Sequence, residues 1–330
     1  MNNNFRSVGI LGTGRYLPEK VVSNYDIEKI VDTSHDWIVS RTGIHTRRIA
    51  EDNIATSDLS TEAAKIALER ANITAEDLDL IIVATVTPDM QFPSTACIVQ
   101  SNLGAKNAAA FDLSAACSGF LYGISIADQF IKTGLYNHVL VIGAETLSKI
   151  LNWNDRNTCV LFGDGAGAVV LGPTEDGSGI LSTHLGADGN GGKFLNVPAG
   201  GSRMPSSVQT VEDSLHYIKM DGSEVFKFAV RIMGNAAKEA LKLCDLGVED
   251  IDYLVPHQAN TRIISSAAKR LKLPMEKVYV NLDAYGNMSA ASIPVALDEA
   301  LEKGKIKKGD NVVLVGFGGG LTWGSCVIKW

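Results

Sequence analysis

Four short stretches of this 330-residue chain carry groups suited to nucleophilic and oxyanion chemistry. Cys117 lies in FDLSAACSGF, after an apolar run at 108–113 that reads as a strand and at the head of a segment, 117–132, that reads as a helix. A thiol at a helix N-terminus meets unpaired N–H groups, whose partial positive charge favours thiolate and lowers its pKa. Ser114, Ala115, Ala116, Ser118 and Gly119 are small enough to leave room for a substrate. They suit a tight strand–helix junction with a core cysteine equally well. His257, in LVPHQAN, follows an apolar strand that Pro256 ends. The carboxyl edge of a strand in an open α/β sheet is where ligands bind, although a lone histidine is often structural. Asn287, in YGNMSAASIP, is either an amide donor or merely the turn residue after Gly286. Phe317-Gly318-Gly319-Gly320 follows the strand at 312–316 and offers backbone N–H groups to an oxyanion with no side chain in the way. A hairpin turn before a strand at 325–329 is the simpler reading of the same glycines.

An internal repeat is what would bring these distant residues together. AAKxAL recurs at 63–68 and 236–241, EDLDL at 76–80 is echoed by EDIDY at 249–253, and HVLVIG at 138–143 by NVVLVG at 311–316, all at an offset of 173 residues. SAA recurs at 114–116 and 289–291 with an offset of 175, which sets Ser292 against Cys117 and His257 against Ala84. Three phrases in one order at one offset indicate two copies of a fold. Each copy reads as an Ala-rich helix (61–71; 234–244), a strand (80–86; 253–256), a strand (108–113; 277–282), a helix (117–132; 290–302) and a strand (138–143; 311–316). Helices alternating with strands predict α/β sheets covered on both faces. The copies would span 1–173 and 174–330, joined through the turn-forming 172–179. Residues 197–212 read as an irregular loop, and the glycines of 162–171 as tight packing near the interface between copies.

Composition narrows the function class. With 45% hydrophobic and 20% charged residues, 32 Gly and 9 Pro, the chain is an ordinary globular one with a large core. A net charge of −7 argues against nonspecific nucleic-acid binding. Apolar runs such as 139–144 are far short of a membrane span, and MNNNFRSVGILG has no signal-peptide pattern. The five cysteines form no C-x-x-C and there is no HExxH, so no zinc site or disulfide framework is expected. Reduced thiols in the cytoplasm are the expectation, with Cys97, Cys159, Cys244 and Cys326 in the core. Gly9–Gly14 (GILGTG) has Leu17 where a dinucleotide fingerprint needs its third glycine, so it reads as a strand-end turn.

Taken together, GILGTGRYLPEKVVSN, DTSHDWIVSRTGI, AACSGF, DRNTCVLFGDGAGA, VPHQAN, YGNMSAASIP and GFGGGLTWGS resemble the β-ketoacyl-acyl carrier protein synthase III family of the thiolase-like superfamily, over nearly the whole length. The resemblance implies a thiolase-like α/β fold, two pseudo-duplicated βαβ-rich halves packed as a layered α/β/α/β/α sandwich. It implies decarboxylative condensation of a short acyl-coenzyme A with malonyl-acyl carrier protein, by way of an acyl-cysteine, to begin fatty-acid synthesis. Cys117 would be the nucleophile, His257 and Asn287 its partners, and the N–H groups of Cys117 and Gly319 the oxyanion hole. Trp37 and Arg156 would sandwich the adenine of coenzyme A, Arg41 would hold its phosphates, and Gly222 and Asn260 would contact its pantetheine arm. Phe92 would bound the acyl pocket across a homodimer interface. No metal or redox cofactor is implied, coenzyme A thioester being a substrate, nor any nucleic-acid or membrane partner. Lys227, Arg262 and Lys269 are ordinary solvated charges or, as the resemblance implies, a dock for an acidic carrier protein. Four other readings remain: a Cys-His-Asn hydrolase; a thiolase, whose second cysteine is replaced here by Gly316; a secondary-metabolism condensing enzyme on the same scaffold; and a non-enzymatic binding module, which would not need all three polar residues.

Overall fold

The computed structural model describes residues 5–175 and 178–330. Met1–Asn4, part of the segment read for a signal peptide, and Asp176 and Gly177 of the expected 172–179 join lie outside the described residues.

Nine strands build two sheets. From the first half come β1 (Ser7–Tyr16), β2 (Leu80–Ala84), β3 (Ala109–Leu113), β4 (Val139–Glu145) and β5 (Gly165–Thr174), in the order β1-β5-β4-β2-β3. From the second come β6 (Gly179–Ala187), β7 (Tyr253–Pro256), β8 (Asn311–Gly318) and β9 (Thr322–Lys329), in the order β7-β8-β9-β6. In the first sheet β3/β2 and β2/β4 are parallel and β4/β5 and β5/β1 antiparallel; in the second the edge strand β7 is parallel to β8, and β8/β9 and β9/β6 are antiparallel. β2 and β7 are continuous apolar runs, buried along their length, as parallel strands covered on both faces must be.

The helices of eight residues or more are α1 (His35–Thr42), α2 (Thr56–Ala71), α3 (Thr95–Leu103), α4 (Gly119–Lys132), α5 (Gly222–Leu243), α6 (Thr261–Arg270) and α7 (Ser292–Glu302). α4 and α7 pack between the sheets in one apolar cluster that includes Phe120, Ile124, Ile293 and Leu297 together with Val141, Val255 and Leu314. α2 covers the outer face of the first sheet, and α5 and α6 cover the second. Helices outside and between two sheets give the five layers expected from sequence. A buried carboxylate clamps the halves: Asp298 on α7 accepts a 2.6 Å bond from Thr13 and pairs with Arg15 and Arg70.

Four expectations need correction. Residues 277–282 form no strand. A single parallel bridge joins Val278 to Leu254, after which the Gln258 side chain takes over the backbone bonding, donating to the Tyr279 carbonyl (3.1 Å) and accepting from Asn281 N–H (3.0 Å). The second sheet is therefore one strand narrower. Gly9–Gly14 is not a strand-end turn but the middle of β1, where α2 crosses so closely that a Cβ on Gly14 would stand 2.3 Å from the Ala63 carbonyl. The SAA pairing is two residues out of register. The left-handed residue of the first turn is Ala116 (φ 47°) and that of the second is Ser289 (φ 45°), with α4 and α7 starting three residues later. This sets Cys117 against Ala290, at the same offset of 173 as the other repeats. Finally, Cys97 is exposed and Cys244 half-buried, while Cys159 and Cys326 are buried. Residues 197–212 are irregular apart from a short helix at Val208–Glu212. The glycines of β5 do pack against the other half: a Cβ on Gly167 would stand 2.7 Å from Pro294 Cβ.

Candidate active site

Two cavities meet at Cys117. One, of about 310 Å³, is lined by Cys117, His257 and Asn287 and runs outward past Gly222 and Asn260 to Trp37 and Arg41. The other, of about 420 Å³ and mostly apolar, lies between Ala115–Cys117, Leu147, Ile150, Ile218, Ser289 and Gly319. A larger groove of about 770 Å³ around Tyr16, Glu51, Asp58 and Lys65 contains none of the expected site residues.

Cys117 is 6% exposed and sits in a single 3-10 turn, Ala116–Ser118, that leads into α4. The turn is wedged against the end of β8. A Cβ on Gly318 would stand 2.5 Å from Cys117 N, and one on Gly316 would stand 3.4 Å from Cys117 O and 3.5 Å from His257 Cβ. Only glycine at 318 lets the two backbones approach this closely. The glycine run at the end of β8 is thus both the β8–β9 turn and part of the wall of the site, with Gly319 lining the second cavity. Against the sequence expectation, the thiol is not acidic. It does lie at the helix mouth, but burial, with the nearby Glu145 carboxylate, pushes it up to about 12. The resting group is a thiol.

His257 is 1% exposed. Its backbone N–H bonds the Val315 carbonyl (2.8 Å) and its ring packs edge-on against Phe317, centroids 5.6 Å apart. Nδ1 is buried without a hydrogen-bond partner, so Nε2 is the nitrogen that meets the cavity. Burial holds the imidazole down to about 3, which keeps it neutral at physiological pH. Asn287 is fixed by backbone bonds to Leu161 O (2.9 Å) and from Gly163 N (3.0 Å). Its side-chain oxygen accepts from Ser289 N–H (2.9 Å), which leaves the NH₂ free to donate into the cavity. Arg47, buried on the far side of this loop, donates to Val160 O (2.7 Å) and Asn24 Oδ1 (2.9 Å) and braces it.

Toward the mouth, Trp37 has the Arg156 and Arg41 guanidinium carbons 5.4 and 5.9 Å from its ring centroid. An aromatic base would enter by replacing one of these contacts. Asn260 caps α6 through Arg262 N–H (2.8 Å) and donates to Arg41 O (2.9 Å), so it holds the rim as well as lining it. Arg262 and Lys269 are exposed on α6, with Arg262 over the Phe226 ring (5.2 Å). Lys227 is exposed and paired with Glu224 (2.7 Å). Phe92 is 84% exposed and touches neither cavity within this chain.

Sequence reasoning missed two polar residues beside the thiol. Ser289 lines the second cavity, and Glu145 is fully buried at the end of β4, pushed up to about 7 by desolvation. A lone carboxylate closing the apolar strand VLVIGAE was the available signal.

Comparison with known proteins assigns the family. The descriptions "3-Oxoacyl-[acyl-carrier-protein (ACP)] synthase III" and its C-terminal counterpart match residues 111–189 and 241–330. A protein of Caldanaerobacter subterraneus subsp. tengcongensis named beta-ketoacyl-[acyl-carrier-protein] synthase III is 68% identical over 98% of both chains. The chain belongs to the 3-oxoacyl-[acyl-carrier-protein] synthase III family. A Clostridioides difficile protein of the same name is 65% identical over 98% of both chains. The crystal structure of 3-oxoacyl-[acyl-carrier-protein] synthase III from Aquifex aeolicus superposes with a TM-score of 0.91 at 51% identity, covering 98% of this chain and all of that one. The thiolase-like α/β fold of this synthase family is therefore the fold of the chain, and the secondary-metabolism alternative is not favoured.

Proposed function

We propose that this enzyme joins a short acyl group from coenzyme A to malonyl-acyl carrier protein with loss of CO₂, giving a 3-oxoacyl-acyl carrier protein, the first condensation of fatty-acid synthesis. The observation that carries the reading is the meeting of Cys117 from the first half with His257 and Asn287 from the second on one cavity, the Asn287 NH₂ turned inward. Cys117 sulfur attacks the thioester carbonyl, and the carbonyl oxygen is held by the N–H groups of Cys117 and Gly319. Coenzyme A leaves, and the acyl chain occupies the apolar cavity beside Leu147, Ile150 and Ile218. Malonyl thioester then enters from the Trp37 side. Decarboxylation moves an electron pair onto the thioester, and the enolate oxygen accepts from His257 Nε2–H and Asn287 Nδ2–H. Its carbon attacks the acyl-Cys117 carbonyl, and the C–S bond breaks to release the Cys117 thiolate, which takes a proton from solvent to restore the thiol. A neutral imidazole and an amide suffice because loss of CO₂, rather than proton abstraction, generates the carbanion.

Trp37, Arg41 and Arg156 fit the adenine and phosphates of coenzyme A, and Gly222 and Asn260 the pantetheine arm. Lys227, Arg262 and Lys269 are the carrier-protein dock, supported by the exposure of Arg262, which lies over the cavity-lining Phe226, and of Lys269 further along α6. A homodimer is supported by the open outer edge of β3 and by the exposed Phe92, which a partner would bury. Halves of 1–173 and 174–330 fit the division of strands between sheets. No metal or redox cofactor is needed for these steps. No described helix is long and apolar enough to cross a membrane, in keeping with action in the cytoplasm.

The test is separation of the half-reactions. His257→Ala and Asn287→Ala should still take the acyl group from coenzyme A yet lose condensation by about 10²–10³-fold, the usual cost of one oxyanion donor. Release of free carboxylic acid by the wild type without malonyl substrate would favour the hydrolase instead.

A further inference from the structure

The Cys117 thiol is protonated at rest, and on the proposed reading, on which this inference rests, His257 and Asn287 both act as donors. Acylation therefore needs another group to take the thiol proton. The second cavity, which His257 does not line, is lined by Ser289, and the fully buried Glu145 lies behind that side chain. Ser289 is 3% exposed, and its hydroxyl has no hydrogen-bond partner, although it faces both the Cys117 thiol and the Glu145 carboxylate. Glu145 accepts from Thr85 Oγ1 (3.2 Å), Val86 N (3.1 Å) and Thr87 Oγ1 (2.7 Å). Thr85 and Thr87 oxygens accept in turn from Thr87 N (3.0 Å) and Thr146 N (2.9 Å), which aims their hydroxyl protons at the carboxylate. Every group bonded to Glu145 is thus a donor that favours its ionised form, and no lysine or arginine pairs with it among the described residues. Cys117 is the titratable group facing it. Asp89, on the loop after β2, is turned instead toward Ser57 and Thr95.

We propose that Glu145 takes up the Cys117 proton through the Ser289 hydroxyl during acylation. The S–H proton passes to Ser289 Oγ as the Ser289 proton passes to a Glu145 oxygen. The freed sulfur lone pair forms the S–C bond to the thioester carbonyl, and collapse of the adduct breaks the bond to coenzyme A, whose thiolate takes the held proton back from Glu145 through the Ser289 hydroxyl. Glu145 acts through Ser289 and is a positioning residue for the reaction. Its desolvated carboxyl, near 7, is part ionised at neutral pH and able to cycle.

The rate of Cys117 alkylation by iodoacetamide, mapped by peptide mass spectrometry from pH 5 to 10, tests the relay. The wild-type rate should rise through an inflection near pH 7 and level off. Glu145→Gln and Ser289→Ala should lose the inflection and react about tenfold more slowly at pH 8, while Glu145→Asp restores part of both. Ser289→Ala removes a hydroxyl that bonds no backbone group or other structural side chain, so it tests the relay even if Glu145→Gln fails to fold. A Ser289→Ala profile that overlays the wild type overturns the proposal. Label found on a residue other than Cys117 in the wild type would instead overturn the nucleophile assignment beneath it.

Discussion

The turn that carries Cys117 and the turn that carries Ala290 have the same backbone and opposite contents. Each has a left-handed residue before a helix, Ala116 in one and Ser289 in the other, and each abuts a glycine of the other half's sheet: Gly316 faces Cys117 O, and Gly143 faces Ala290 O. The likeness extends to small details. Asp79 accepts from His138 N–H (3.0 Å) as Asp252 accepts from Asn311 N–H (2.9 Å), each pair 173 residues from the other. What differs is the filling. The first turn has a thiol, with bare Gly318 opposite and a cavity on either side. The second has a methyl group, and Glu145 with its threonines stands where the repeat would put Gly318. A duplicated scaffold therefore supplies one reaction centre, and the counterpart space holds polar groups that back the thiol from behind. Position at a helix mouth is common to both turns; side chains and access decide which one reacts.

The severest way to break this comparison is to move the thiol. In Cys117→Ala combined with Ala290→Cys, acylation by acyl-coenzyme A should fall below detection by intact-mass analysis, because Ala290 is buried and lines neither cavity. Gly318→Ala keeps the thiol but drives a methyl into Cys117 N, so the acylation rate should drop about 10²–10³-fold, as when an oxyanion donor is misplaced. The two equivalent glycines sharpen the contrast in stability. A Cβ on Gly143 would stand 2.2 Å from the Ala290 carbonyl, whereas one on Gly316 meets only Ile293 Cδ1 closer than 3.4 Å. Gly143→Ala should cost about 1–3 kcal/mol in denaturant unfolding and Gly316→Ala less than half as much.

The smallest effect is on pH dependence. His257 in the folded chain is held near 3, below the ordinary 6.5, so its neutral form contributes fully above about pH 6.5. That contribution is lost as pH falls toward 3, because the unfolded chain takes a proton the folded one refuses. The melting temperature of His257→Gln should accordingly fall less steeply than wild type between pH 6.5 and 4, by about 2–4 °C for each kcal/mol involved.

Much of this was legible in the sequence. Hydrophobic runs and the 173-residue offset marked both halves, and Cys117, His257 and Asn287 stood at strand ends and turns where α/β sheets bind ligands. The missing strand at 277–282 was not legible, because its apolar pattern persists while the Gln258 side chain replaces the ladder bonds. The resting state of the thiol was misread for a related reason: a helix mouth is visible in sequence, but desolvation depends on how completely the two halves close over it. Glu145 escaped notice because its donors come from Thr85–Thr87, which are remote in sequence and carry no motif.

The central claim is that one sulfur accepts the acyl group and the opposite half discharges it. It is tested most directly by intact-protein and peptide mass spectrometry after incubation with a short acyl-coenzyme A, followed by a malonyl-thioester chase. The account predicts a single acyl increment on Cys117 that disappears in the chase from the wild type and persists on Asn287→Ala. An increment that maps elsewhere, or that the Asn287→Ala chain discharges at the wild-type rate, would contradict it.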